Sequence, residues 1–96
     1  MINLIDNILK ELDTGNYKKA IKLCNELLIK YPGNPAVYEL RGICNYNLSL
    51  LKNARDDFNK VIELNPEAPD SIRRKIDKIN SYINNCLLYT SDAADE

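Results

Sequence analysis

Ser49-Leu50-Leu51-Lys52-Asn53-Ala54 opens a helical run that passes Phe58 and stops at Pro66. Earlier in the chain, Gly15-Asn16-Tyr17-Lys18-Lys19-Ala20 opens a similar run that stops at Pro32. Ala20 and Ala54, Asn25 and Asn59, Leu28 and Ile62, and Pro32 and Pro66 all stand 34 residues apart. A fixed period of this length marks helical hairpins stacked side by side rather than a closed globule. Such a stack presents surfaces, so the period points toward binding and away from catalysis.

Outward from these two runs, the chain reads as five helices. Residues 2–13 carry Ile2, Leu4, Ile5, Ile8, Leu9 and Leu12 at helical spacing, with Asp6, Lys10, Glu11 and Asp13 on the other face. Thr14-Gly15-Asn16 ends that helix, because glycine takes a positive φ cheaply. The second helix spans roughly 17–30 with Tyr17, Ala20, Ile21, Cys24, Leu27 and Leu28 as its apolar stripe. Tyr31-Pro32-Gly33-Asn34-Pro35 breaks it. A third, near 36–48, uses Val37, Leu40, Ile43, Cys44 and Leu48, and Ser49 is placed to cap the fourth, roughly 50–64. The inner face of the fourth is Leu51, Ala54, Phe58, Val61 and Ile62. A glycine at 42 facing an alanine at 54 would let two backbones approach, with Tyr38 and Phe58 filling the space on either side. The fifth helix, from Ser71 to about Asn84, has a narrow Ile72, Ile76, Ile79, Ile83 stripe and a wide polar remainder. That pattern suits a terminal cap, or the first helix of a third repeat.

Tyr38, Gly42, Ala54, Phe58 and Pro66 resemble the aromatic, glycine, alanine, aromatic and proline positions of the tetratricopeptide repeat family. Tyr17, Ala20 and Pro32, with Gly15 in the turn, match in the first copy. The resemblance covers residues 1–68. Arg41 replaces the usual leucine before the glycine, and Asn45 the usual tyrosine after it. Cys24 stands where Phe58 stands in the next copy, and Ile8 where Gly42 stands. The fold it implies is all-α, a right-handed stack of antiparallel helix-turn-helix hairpins forming an α-solenoid of two repeats plus a terminal helix. The expected division is repeat one at 1–34, repeat two at 35–68, a cap or the start of a third repeat at 69–85, and a tail at 86–96.

The tail, Cys86-Leu87-Leu88-Tyr89-Thr90-Ser91-Asp92-Ala93-Ala94-Asp95-Glu96, breaks the repeat. It resembles the conceptual translation of a transposon-derived sequencing-library adapter, which would place the cut near Asn85 and leave a truncated fragment. Such scars are set aside in reasoning about folds. The whole chain has 13 basic and 14 acidic side chains; without Asp92, Asp95 and Glu96 it has 13 against 11, a net of +2. Either balance is near neutral and draws the chain to neither nucleic acid nor membrane. No basic leader with a long apolar stretch is expected at Met1-Ile2-Asn3-Leu4, and no run of about 18 apolar residues is present. Three cysteines make no disulfide framework. The expected compartment is the cytoplasm.

Candidate chemistry is scarce. The chain has no histidine, hence no imidazole base or ligand. Cys24 and Cys44 lack CxxC spacing and sit in apolar stripes, which suits small buried hydrophobes better than nucleophiles. Asp56 and Asp57 are helix neighbours pointing about 100° apart, so acid–base work between them is not expected. No Gly-rich phosphate loop occurs. No catalytic residue, metal or cofactor is expected, and the chain is read as no enzyme. The cluster Arg73-Arg74-Lys75-Lys78 suits either a grip on phosphate or an acidic peptide, or simply a solvated helix face.

What the resemblance implies is a protein-protein interaction scaffold whose first helices line a concave groove. By that analogy Ile2, Ile5, Leu9 and Leu12 come from copy one and Glu39, Ile43, Tyr46 and Asn47 from copy two, with Arg73 and Asn80 continuing the line. Ile5, Leu9, Glu39 and Ile43 occupy the places where some relatives clamp a chaperone carboxylate, so that clamp is absent. The groove would suit an amphipathic helix or an extended apolar peptide. The alternative for the copy-one isoleucines and leucines is simple packing. The expected partner is a protein or peptide. A second reading makes the chain a non-catalytic N-terminal segment of a larger enzyme or regulatory protein.

Overall fold

The computed structural model describes residues 4–85, and the tail at 86–96 lies outside them. The described residues form five helices and no strand: α1 (Leu4–Asp13), α2 (Tyr17–Lys30), α3 (Pro35–Asn47), α4 (Leu51–Leu64) and α5 (Asp70–Asn85). Each packs on the next, and α1 also touches α3. This is an all-α stack of helical hairpins.

The 34-residue period of the sequence reappears in the backbone bond by bond. Thr14 N–H donates to Lys10 C=O, and Leu48 N–H to Cys44 C=O. Gly15 donates to Leu12 as Ser49 does to Tyr46, and Asn16 to Glu11 as Leu50 does to Asn45 at the same 2.8 Å. Tyr31 and Asn65 close α2 and α4 with equivalent bonds to Leu27 and Val61. Even the turn conformation repeats: Gly15 has φ 80° and Ser49 has φ 64°.

That turn corrects one sequence expectation. Ser49 does not cap α4; the N-cap residue is Leu50, and no side chain bonds the free N–H groups there. Ser49 sits one residue too early because the hairpin needs a left-handed residue, the place filled by glycine in the first copy. At α3, by contrast, Asn34 Oδ1 accepts from Ala36 N–H at 3.0 Å, and Pro35 begins the helix without needing a donor.

The core has two clusters. Ile8, Ala20, Cys24, Leu27, Val37 and Cys44 form one. Ala54, Phe58, Val61, Ala68, Ile72 and Ile79 form the other. Helix α3 serves both, giving Val37 and Cys44 to the first and packing Tyr38, Ile43 and Tyr46 against the second. Gly42 lies at the close approach of α3 to α4. A Cβ there would meet the ring of Phe58, 2.8 Å from Cε1 and 3.0 Å from Cζ. The small residue therefore makes room for the Phe58 ring.

Candidate functional site

The first helices of the hairpins form one face. On it α1 touches α3, whereas no Cα of α3 comes within 8 Å of one in α5 among the described residues. The gap between α3 and α5 is a cleft of about 150 Å³ lined by Ile43, Tyr46, Phe58, Lys75 and Lys78. Ile43 and Tyr46 come from α3, Phe58 from α4 and both lysines from α5. Phe58 is 1% exposed, so its ring is fixed by packing. Ile43 and Tyr46 are partly buried and lean on the second core cluster.

Of the groove residues expected from sequence, Ile43 and Tyr46 line this cleft together. The others are placed elsewhere. Ile5 and Leu12 pack against the first core cluster. Leu9 is 42% exposed on α1. Glu39 is half-buried on α3. Asn47 donates from Nδ2 to the carbonyl of Ile43 at 2.8 Å, within its own helix. Arg73 turns back to the α4–α5 loop, where Nη2 donates to Pro66 C=O at 3.2 Å. Asn80 accepts from Arg55 Nη1 at 3.4 Å, which ties α5 to α4. Lys75 and Lys78 belong to the basic cluster, and sequence alone did not connect them with α3.

A second, polar recess of about 330 Å³ lies over α2, α3 and α4. At its base Asp57, 4% exposed, receives Arg41 and Asn45. Arg41 Nε lies 3.2 Å from Oδ1 and 3.1 Å from Oδ2, and Nη2 donates to Oδ1 at 2.7 Å. Asn45 Nδ2 donates to Oδ2 at 2.8 Å, and Arg41 Nη1 reaches Asn25 Oδ1 at 2.9 Å. The guanidinium also lies 5.3 Å from the centre of the Tyr38 ring. The hydrogen bonds to Asp57 push the Arg41 pKa further up. Arg41 and Asn45, the two departures from the tetratricopeptide pattern in α3, therefore act together. A carboxylate with a bidentate arginine and an amide has its lone pairs occupied. In this recess the buried polar groups join α2, α3 and α4 to one another.

Cys24 and Cys44 are free and buried. Burial pushes the Cys24 thiol up to about 12 and the Cys44 thiol up to about 11. Neither is a thiolate near neutral pH, so neither has the electropositive, accessible setting of a nucleophile. Among the described residues no helix is long and apolar enough to cross a membrane.

No family model matches the chain. Over 63 residues it is 32% identical to the protein named Protein CTR9 homolog from Arabidopsis thaliana. That stretch is 65% of this chain and 6% of the plant protein, so the chain spans a small fraction of the curated relative it matches. With the hairpin stack, this similarity supports a tetratricopeptide-like helical repeat.

Proposed function

We propose that this chain is a protein-interaction module that binds a peptide or helix of its partner on the face shared by α1, α3 and α5. The observation that carries the reading is the cleft between α3 and α5. It is apolar at the floor and walled by two helices whose backbones stay apart, with no Cα of α3 within 8 Å of one in α5 among the described residues. An anchoring side chain entering such a cleft gains burial without displacing a packed neighbour, and aromatic and aliphatic anchors in pockets dominate peptide affinity. Ile43 and Tyr46 of α3 supply the apolar wall of this cleft.

A displayed library of random peptides tests the reading. The wild-type chain enriches a recurring motif with an apolar anchor, and Tyr46→Ala and Tyr46→Leu weaken its binding. Tyr46 also packs against the core, so Tyr46→Leu, which keeps apolar bulk, separates recognition from folding; circular dichroism confirms each variant's helicity. Absence of any enriched motif refutes the module.

One observation favours a second reading, a non-catalytic segment within a larger protein: the matched stretch is 6% of its much longer relative. Under that reading the same face docks a region of its own protein or of a shared complex.

A further inference from the structure

The cleft that holds the proposed anchor is chemically two-sided. Its floor is the Phe58 ring, and one wall is Ile43 and Tyr46. The opposite wall carries two ammonium groups, Lys75 and Lys78. No carboxylate lies within ion-pair distance of either lysine among the described residues. Lys78 Nζ instead lies 6.0 Å from the centre of the Tyr82 ring. The helix that bears them has four basic residues, Arg73, Arg74, Lys75 and Lys78, against Asp70 and Asp77, a net of +2. Arg73 donates to the Pro66 carbonyl, away from the lining of the cleft, whereas Lys75 and Lys78 line it.

We propose that the α3–α5 cleft recognises an acidic peptide segment, seating one large apolar side chain against Phe58 while Lys75 and Lys78 pair with the carboxylates beside it. This rests on the reading that the α1–α3–α5 face is the binding face, and it names the partner's chemistry. The volume, about 150 Å³, is that of an apolar cavity able to hold a benzene-sized group, so a leucine or phenylalanine side chain fits. The lysine stems extend the apolar wall while their heads stay at the rim. Burial of the anchor supplies most of the affinity. The two rim charges supply selection and encounter rate, because exposed pairs add little free energy but repel a basic sequence. A neutral apolar peptide would fill the pocket and leave both ammonium groups unanswered. A basic peptide would be repelled.

The experiment uses the full chain and the displayed random library. Wild type enriches peptides in which Asp or Glu flanks a Leu, Ile, Met or Phe. The variant Lys75→Glu/Lys78→Glu loses those peptides by about tenfold or more and enriches peptides with Lys or Arg at the flanking places. Both lysines are exposed, so the fold tolerates the change, and circular dichroism verifies it. A motif that is apolar with no acidic preference overturns this inference and leaves the module reading standing. Identical motifs from wild type and the reversed variant also overturn it. No motif at all overturns both. Displacement of the selected peptide by a single-stranded oligonucleotide reassigns the cleft to nucleic acid and equally defeats the proposal.

Discussion

Arg41 and Asp57 lie 16 positions apart on different helices, and they meet as a bidentate ion pair with a 2.7 Å bond at its centre. The acid is nearly buried, and the arginine side chain is 27% exposed. Asn45 and Asn25 complete the set from α3 and α2. Pairing of this kind fixes how three helices cross, since a buried charge without its partner costs far more than the pair itself contributes.

Asp57→Ala is therefore expected to destabilise the fold by about 2–4 kcal/mol, because it strands the guanidinium at a half-buried site. The double replacement Arg41→Leu/Asp57→Leu is expected to recover most of that loss, since an apolar pair can replace a buried ion pair with little cost. Urea denaturation of Arg41→Leu, Asp57→Leu and the double variant measures the coupling. Additive losses would show that the two side chains do not act as a unit.

Gly42→Ala is expected to destabilise, although alanine is the better helix former by about 1 kcal/mol. The new Cβ would stand 2.8 Å from a ring carbon of Phe58, which is itself locked in the core. Overpacking costs about 1–3 kcal/mol and outweighs the propensity gain. Gly42→Ala/Phe58→Leu should regain part of the loss. A higher denaturation midpoint for Gly42→Ala would contradict the packing.

Ser49→Gly is expected to raise the melting temperature. Serine holds φ 64°, where a side chain costs about 1–2 kcal/mol and glycine costs nothing steric. Part of the gain is offset by the extra freedom glycine has when unfolded, leaving roughly 0.5–1 kcal/mol, or about 2–8 °C for a chain of this size. Gly15→Ala should do the reverse in the first turn, where φ is 80°. Differential scanning calorimetry of both variants checks the pair.

The buried thiols set an alkaline limit. Both have folded pKa values above the ordinary 9.0, near 12 for Cys24 and near 11 for Cys44. Their protons are retained by the folded chain and lost by the unfolded one. The stability tied to them is complete below pH 9 and falls as pH rises through the window to about 11–12. Its slope is up to about 1.4 kcal/mol per pH unit for each thiol. Tyrosines and lysines titrate there too, so the comparison is the wild type against Cys24→Ala/Cys44→Ala, whose stability should vary less between pH 9 and 11. At pH 8 iodoacetamide should label both thiols slowly in the native chain and fast in denaturant. Rapid native labelling would place a thiol at the surface.

The helices and their stacking were legible because the 34-residue period is local: a turn, a stripe and a breaker recur, and the backbone bonds recur with them. Ile43 and Tyr46 were named from the resemblance to the tetratricopeptide pattern rather than from the period, and both line the cleft. Lys75 and Lys78 were not legible as part of it, because on their own helix they resemble any solvated face. Only the approach of α5 to α4 brings them opposite α3. Arg41, Asn45 and Asp57 were each visible as oddities, two against the family pattern and one as half of an acidic pair. Their meeting depends on how α3 and α4 cross, which helical periodicity does not encode.

Because no Cα of α3 lies within 8 Å of one in α5 among the described residues, the backbone spacing across the cleft is carried by α4, on which both helices pack. A slight roll of α5 along its seam with α4 would open or narrow the slot while leaving the α3 wall and the Phe58 floor in place. The slot then works like a vice with one fixed jaw. If the cleft binds as proposed, anchors of different bulk would be met by adjustment at Arg55–Asn80 and the other α4–α5 contacts rather than in the first core cluster.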